Sequence, residues 1–187
     1  MRNIPRVSFL AVATVLLLAG CTPTIGIVKP EPAPSSTPIF ASEEDALAAA
    51  TAAYAAYVKV SDQILMDGGT DPDRIKPYAT KEALEAALDG YRTFREKGYR
   101  SIGSSEIFGD KLQRFNPDAE GGIDLVDLYS CLDVSHVDVV DGSGNSAVSA
   151  DRPDLQAFQL TFDFDFKLNK LVLSSRDAWS SSEICAK

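Results

Sequence analysis

The stretch FQLTFDFDF, residues 158–166, decides the fold class of this chain. Apolar and polar residues alternate along it with the period of two that a half-buried β-strand requires. The apolar set is Phe158, Leu160, Phe162, Phe164 and Phe166, and the polar set is Gln159, Thr161, Asp163 and Asp165. One face of the strand is therefore expected in the core and the other in water. KLNK at 167–170 then turns the chain into LVLSSRDAW, residues 171–179, which predicts a closing strand.

Two further strands are predicted upstream of this pair. Residues 99–115, YRSIGSSEIFGDKLQRF, have the pattern of a strand that is bent or bulged near Gly103 and Gly109. Residues 122–141, GIDLVDLYSCLDVSHVDVVD, have the pattern of one long strand.

Helical periodicity precedes the strands. Ser42 is a predicted N-cap, acidic residues fill the turn after it, and the first helix is expected to end at Gly68. Pro72 and Pro77 leave room for one short turn before a second helix that spans 80–98. Helices followed by consecutive strands predict an α+β domain with a largely antiparallel sheet.

The N-terminus has the features of a secretory signal. A basic start is followed by an apolar run, residues 7–18, that is too short to span a bilayer. The run ends in Leu18-Ala19-Gly20-Cys21, which resembles the lipobox of bacterial lipoproteins. That resemblance implies a signal peptide at 1–20 and an acylated Cys21, which anchors the protein to a cell membrane with the domain facing outside the cytoplasm. The less favoured alternative is an ordinary signal peptide with a chance cysteine.

Residues 21–41 form a proline-rich stretch that is expected to act as an extended tether, and residues 42–187 have the composition of one globular domain. Loss of Arg2 and Arg6 with the signal changes the formal charge from −9 to −11. An acidic domain repels phosphate backbones, so nucleic acid is not an expected partner. Solubility alone also explains the acidity.

Two cysteines remain once Cys21 carries lipid. Cys131 and Cys185 can form only one intramolecular disulfide, and an extracytoplasmic compartment permits it. The sequence therefore predicts this bond.

YSCLDVSH, residues 129–136, resembles an active site because it holds a cysteine, an aspartate, a serine and the only histidine of the chain. Along a strand, however, Asp133 and Ser135 fall on the face opposite His136, so these three side chains are not expected to form a catalytic triad. A metal site is also not expected, because Cys131 and Cys185 are expected to form a disulfide and would then not be free to bind a metal ion.

Other acidic groups have simpler explanations. DGSGNSAVSAD, residues 141–151, begins like a calcium loop but has Ser146 where glycine is needed, so a plain loop between strands is favoured. Two acidic pairs are expected on a solvated sheet face, Asp163 with Asp165 and Asp124 with Asp127.

The order of elements supports a family resemblance. A long helix with AAYAAY, the turn DPDRIKPYAT, a second helix, bent strands with CLDVS and a closing strand, behind a lipobox and a proline tether, resemble bacterial lipoproteins with the nuclear-transport-factor-like cone fold. The superfamily includes ketosteroid isomerase, scytalone dehydratase and SnoaL-type cyclases. The resemblance implies a curved sheet around the long helix, an open conical pocket and often a homodimer, and many of the lipoprotein members have no assigned activity.

Three functions follow as hypotheses. The first is that the domain binds a small molecule or an envelope protein without catalysis, in a pocket with aromatic walls. The second is an isomerase-like or dehydratase-like enzyme that uses Asp133 as its base and a tyrosine hydroxyl as its electrophile, unless Asp133 only braces local backbone. The third is an assembly role through the sheet face. No cofactor is indicated. The pocket candidates are Tyr54, Tyr57, Tyr78, Tyr91, Tyr129, Asp133 and Trp179.

Overall fold

The computed structural model describes residues 38–180 and 182–185. The predicted signal peptide, Cys21 and most of the tether lie outside the described residues. Within these residues two helices come first, α1 (Glu43–Met66) and α2 (Lys81–Glu96), separated by a 3₁₀ turn at Pro72–Ile75. Six strands follow: β1 (Arg100–Ile102), β2 (Glu106–Phe115), β3 (Val126–Asp133), β4 (Asp138–Val140), β5 (Leu155–Asp165) and β6 (Lys170–Ala178). Short 3₁₀ turns occupy Glu120–Gly122 and Ser182–Cys185.

The strands form two sheets. The main sheet has the order β2-β3-β5-β6, and β1 pairs with β4 in a small second sheet. All of these pairings are antiparallel. The segment before α2 adds to the edge of β6 through an isolated parallel bridge between Ala79 and Leu173. The predicted α+β class with antiparallel sheets is confirmed.

The helices begin and pack as their sequences require. The Ser42 side chain accepts a hydrogen bond from the Asp45 amide at 3.1 Å, which caps the N-terminus of α1. Along α1 the buried residues recur at helical spacing: Ala46, Ala50, Tyr54, Tyr57, Val58 and Ile64. α1 contacts β2, β3 and β6, while α2 packs mainly against β6. The apolar face of the main sheet is therefore covered by α1, and the opposite face is called the outer face below.

The alternation in β5 positions the core. Leu128 of β3 and Leu160 of β5 are paired and fully buried, and Phe162 pairs with Leu173 of β6. Phe166 departs from the prediction, because β5 ends at Asp165 and Phe166 is 63% exposed in the turn that follows.

The predicted irregularities in the first strand are confirmed. The chain breaks between β1 and β2 at Gly103, and β2 bulges at Gly109, where φ is +69°. A further bulge inserts Ser174 of β6 opposite the Thr161–Phe162 step of β5. One extra residue on a strand exchanges the faces on which its later side chains lie.

The single long strand predicted over 122–141 is wrong. The chain turns after β3 and resumes as β4, which joins the other sheet. Asp133 initiates the turn, since its carboxylate accepts a hydrogen bond from the Ser135 amide, and the Val137 amide then donates to the Val134 carbonyl at 3.0 Å. Within the part of the chain that the structure describes, no helix has both the length and the apolar character needed to cross a bilayer.

Candidate functional site

A pocket of about 220 Å³ lies between the second half of α1 and the strands. Helix α1 presents residues to it at a spacing of four, Tyr57 with Ser61 and Val58 with Asp62, because such pairs share one face of a helix. Most of the other residues that line it are apolar or small: Leu65, Phe94, Ser101, Ser105, Leu132, Val134, Val137 and Val139. Arg176 of β6 completes the lining.

Arg176 is held in place by two aromatic residues. Its Nε donates a hydrogen bond to the hydroxyl of Tyr54 at 3.1 Å. Its Cζ lies 3.6 Å from the centroid of the Phe158 ring, which is a close cation–π contact. Among the described residues, no Asp or Glu oxygen lies within the 4.0 Å of an ion pair with this guanidinium. The pocket therefore contains a fixed cation whose charge is not matched by an adjacent carboxylate.

Two other carboxylates lie in this region: Asp62, which lines the pocket, and Asp110. Asp62 accepts hydrogen bonds from the amide and the hydroxyl of Ser105, at 2.8 Å and 3.0 Å, and so attaches the β1–β2 loop to α1. Burial is the main cause of the raised pKa of Tyr54, and the charge of Asp110 adds to that shift. Neither aspartate forms an ion pair with Arg176.

Three buried tyrosines lie close enough to the guanidinium for its charge to affect their pKa values. The rings of Tyr54 and Tyr57 stack with centroids 6.2 Å apart. Burial raises the pKa of Tyr54 and of Tyr57, and the positive charge of Arg176 opposes that shift in both. Burial also raises the pKa of Tyr91, which lies beside Ser61. Phenol hydroxyls that keep their protons can donate hydrogen bonds to a ligand.

The structure divides the pocket candidates between the two faces of the sheet. Tyr54 and Tyr57 are buried under α1, whereas Tyr129 and Asp133 lie on the outer face. Trp179 packs against Tyr129 there, with ring centroids 4.9 Å apart. The seven candidates therefore do not line one pocket.

Asp133 makes local contacts of the kind expected if it braces the backbone next to it. Its Oδ1 accepts hydrogen bonds from the amide of Ser135 at 3.0 Å and from the hydroxyl of Ser135 at 2.6 Å. The tyrosines of the pocket lie on the other side of the sheet, so Asp133 and those phenols do not converge. His136 is exposed in the turn after β3.

The disulfide also lies on the outer face. The Sγ atoms of Cys131 and Cys185 are 2.03 Å apart, and both residues are buried. They form a small apolar cluster with Ala157. The bond attaches the Ser182–Cys185 turn to β3.

Tyr78 belongs to a different cavity. It lines an apolar pocket of about 330 Å³ between α1 and the β5–β6 hairpin, together with Phe40 and Phe164. The Nζ of Lys170 lies 4.1 Å from the centroid of the Tyr78 ring.

The expectation that the acidic pairs form a solvated face is wrong for two of the four residues. Asp163 is only 8% exposed, accepts a hydrogen bond from the Asp124 amide and forms an ion pair with Lys81 at 2.8 Å. Asp127 is also buried and pairs with Arg114 at 2.7 Å. Each buried charge has a basic partner on the same outer face, as desolvation requires.

The segment 141–151 forms turns. The Asp141 carboxylate accepts hydrogen bonds from the amides of Ser143 and Asn145, which lower its pKa. Among the described residues, no group of three or more His, Cys, Asp or Glu side chains is placed to hold a metal ion.

No protein-family model matches the chain, and no curated protein matches it significantly. Among solved structures, the intermembrane space region of the chloroplast protein ARC6 is similar, with 11% identity, a TM-score of 0.52 and coverage of 71% of this chain and 97% of that one. A de novo designed β-sheet protein matches with 12% identity, a TM-score of 0.31 and coverage of 73% and 88%. The ARC6 likeness shows the fold alone, and neither structure is described as a nuclear-transport-factor-like protein.

Proposed function

We propose that this protein is a lipoprotein anchored to a cell membrane through Cys21, and that its extracytoplasmic domain binds a small molecule with an anionic group in the Arg176 pocket, without catalysis. The observation that carries the ligand class is the Arg176 guanidinium, which is fixed by Tyr54 and Phe158 and has no carboxylate within ion-pair distance among the described residues. A guanidinium in a largely apolar pocket favours a carboxylate or a similar anion.

The dimensions and lining of the pocket limit the ligand further. At about 220 Å³ the pocket is smaller than the roughly 300–1,000 Å³ of sites for drug-sized molecules. Its valines and leucines suit a short apolar body, and Ser61 and Tyr57, which also line the pocket, carry hydroxyls for polar contacts. We expect a compact organic acid.

Two features support the location. The Leu-Ala-Gly-Cys sequence at 18–21 follows an apolar run, as in lipoprotein signals. The cysteines of the domain are joined in a disulfide, and such bonds persist in oxidising compartments outside the cytoplasm.

The cone fold belongs to the same proposal. What supports it is a long N-terminal helix packed on one face of a bulged antiparallel sheet, with a pocket beside the helix that strands of both sheets line. The enzymatic alternative has less support, because Asp133 accepts hydrogen bonds from Ser135 on the opposite face of the sheet.

The ligand class can be tested with matched pairs of acids and amides. The mature chain with Cys21→Ser would be titrated with phenylacetate and phenylacetamide, and with butyrate and butyramide, by calorimetry. We expect the acids to bind about tenfold more tightly than their amides, since a charge-assisted hydrogen bond to a guanidinium is worth roughly 1.5–3 kcal/mol.

The control variants separate the pocket from general charge effects. Arg176→Gln removes the pocket cation and should abolish the preference for the acid. Arg92→Gln removes a cation from the exposed surface of α2, where Arg92 pairs with Asp89, and should keep the preference. Equal acid binding by wild type and Arg176→Gln would refute the proposed ligand class.

A further inference from the structure

An exposed apolar patch lies at one end of the main sheet. The turn between β5 and β6 carries Phe166, which is 63% exposed, and Leu168, which is 46% exposed. Ile123, in the loop before β3, is 52% exposed. We call these three residues the hairpin-tip patch. Exposed apolar residues that cluster in this way mark surfaces that bind a protein or a membrane.

The two loops that carry the patch have defined conformations. The Asp165 carboxylate accepts hydrogen bonds from the amides of Lys167 and Leu168, at 2.8 Å and 3.0 Å, which fixes the turn. Gly122 has φ of +71°, and a Cβ there would lie 3.2 Å from Cε2 of Phe166 and 2.9 Å from Cβ of Phe164. Only glycine lets this loop lie against the hairpin, and that approach brings Gly122, the residue before Ile123, against Phe166.

The described part of the chain begins at the same end of the sheet. The described chain begins at Pro38, and the Phe40 ring packs 6.3 Å from the Phe164 ring, which in turn lies 5.0 Å from the Phe166 ring. Residues 21–37 precede this point, 37 − 20 = 17 residues, and four of them are prolines. A segment of that length in a polyproline-type conformation would span about 50 Å, at roughly 3.1 Å per residue.

We infer that the hairpin-tip patch inserts into the interfacial region of the membrane that carries the lipid anchor. The inference rests on the proposed anchoring through Cys21. A tether that enters beside the patch keeps it close to the bilayer, so even a weak apolar contact is favoured by the high effective concentration. The exposed Lys167 lies between Phe166 and Leu168, where its ammonium group can reach lipid phosphates while the neighbouring side chains enter the apolar layer. The contact would orient the whole domain on the membrane.

A single tryptophan at position 179 or at position 166 can report which end of the β5–β6 hairpin lies in the membrane. Trp179, the only tryptophan of the chain, follows β6 at the far end of the β5–β6 hairpin from Phe166. The lipidated mature protein, which begins at Cys21, is therefore one reporter in vesicles, and its variant Phe166→Trp with Trp179→Phe is the other. The vesicles contain phosphatidylethanolamine and phosphatidylglycerol, with and without brominated acyl chains that quench nearby tryptophan.

The expected result is a blue-shifted emission of the tryptophan at position 166 and its quenching by brominated lipid, while the emission of Trp179 stays unquenched. Vesicle flotation of the wild type is measured in parallel. Flotation without preferential quenching at 166 overturns membrane insertion and leaves the anchor intact. A wild type that fails to float overturns the anchor, and the insertion with it.

A second copy of the chain is the competing occupant of the patch. Sedimentation of the mature chain with Cys21→Ser should show a monomer, both alone and with Phe166→Ser and Leu168→Ser added. A dimer that this double substitution disrupts would assign the patch to self-association and overturn the inference.

Discussion

The Arg176 side chain makes two contacts in the core and also lines the pocket. Its Nε satisfies the hydroxyl of Tyr54, which is fully buried, and its planar group covers the Phe158 ring. The rest of the guanidinium lines the pocket. A lysine has one compact charge and cannot bond sideways to a phenol while it stacks on a ring. The residue therefore couples the stability of the core to the charge of the proposed site.

A double-mutant cycle on Arg176 and Tyr54 tests that coupling. Arg176→Leu leaves the buried Tyr54 hydroxyl without its donor, which should lower the free energy of unfolding by about 1–3 kcal/mol. Tyr54→Phe removes the hydroxyl itself, so adding Arg176→Leu to it should cost less, with a coupling energy of roughly 1 kcal/mol. Urea unfolding of the four proteins measures it, and strictly additive effects would show that the hydrogen bond contributes nothing.

The position of Arg176 could not be read from the sequence, and the reason is local. In LVLSSRDAW, simple alternation puts Leu171, Leu173 and Ser175 on one face and Arg176 on the other. The bulge at Ser174 exchanges the faces, so that Arg176 pairs with Leu160 and joins the buried side. The two serines in a row were the only hint of that bulge. By contrast, the disulfide could be predicted without knowledge of the strand register, because two cysteines allow only one pairing.

At the scale of elements, periodicity predicted most of the structure and turns accounted for the errors. The alternation of β5 and the helical spacing of α1 were sufficient, because each of these elements buries one face against the core. The break between β3 and β4 was missed because apolar residues continue through Val134 and Val137, while the stop comes from the hydrogen bonds of Asp133 with Ser135. A side-chain contact of that kind leaves no periodic signal.

Gly103 is the glycine that the β1–β2 connection most requires. Its φ is +86°, and a Cβ at this position would lie 1.9 Å from the carbonyl oxygen of His136. Gly103→Ala should therefore destabilise the fold by more than about 2 kcal/mol, since both the backbone strain and the clash must be relieved. Because backbone atoms make the clash, a small side-chain movement cannot relieve it.

Gly90 provides the matched control for that substitution. It lies inside α2 and is exposed, and a Cβ at this position would have no neighbouring atom within 4 Å. Gly90→Ala should therefore stabilise the protein by about 0.5–1 kcal/mol. Thermal unfolding of the two variants beside the wild type gives the comparison. Equal midpoints for Gly103→Ala and the wild type would mean that the loop accommodates a side chain by moving away from the β3–β4 turn.

At the scale of the whole molecule, the sheet separates two environments. One face carries the core and the Arg176 pocket under α1, and the other carries the disulfide and two ion pairs whose carboxylates are buried. Charged residues were predicted to mark a wet surface, yet Asp127 and Asp163 are buried with basic partners that come from β2 and from the start of α2. Sequence alone could not supply those pairings, because Lys81 is distant from Asp163 along the chain and the register that pairs Arg114 with Asp127 follows irregularities in β2.

The buried phenols make stability fall at alkaline pH. Burial raises the pKa of Tyr54, Tyr57 and Tyr91 above the value of 10.0 that they have in the unfolded chain. Above pH 10 the unfolded chain releases these protons while the folded protein keeps them, so each phenol lowers the free energy of unfolding by up to about 1.4 kcal/mol per pH unit. The pKa of Lys81 is also raised, by its hydrogen bond to Asp163. Lys81 therefore also lowers the free energy of unfolding as the pH rises.

Tyr57→Phe isolates one of these contributions. The variant removes a phenol that titrates in the unfolded chain but keeps the ring that stacks on Tyr54. Below about pH 9, the free energy of unfolding of the variant should change with pH as that of the wild type does. From pH 10 to 11 it should decline less steeply, and the difference in slope should be roughly that expected for one phenol. Urea midpoints at half-unit pH intervals give both curves. Parallel curves across the alkaline range would mean that Tyr57 ionises as readily in the folded protein as in the unfolded chain, and that solvent enters the Arg176 pocket freely.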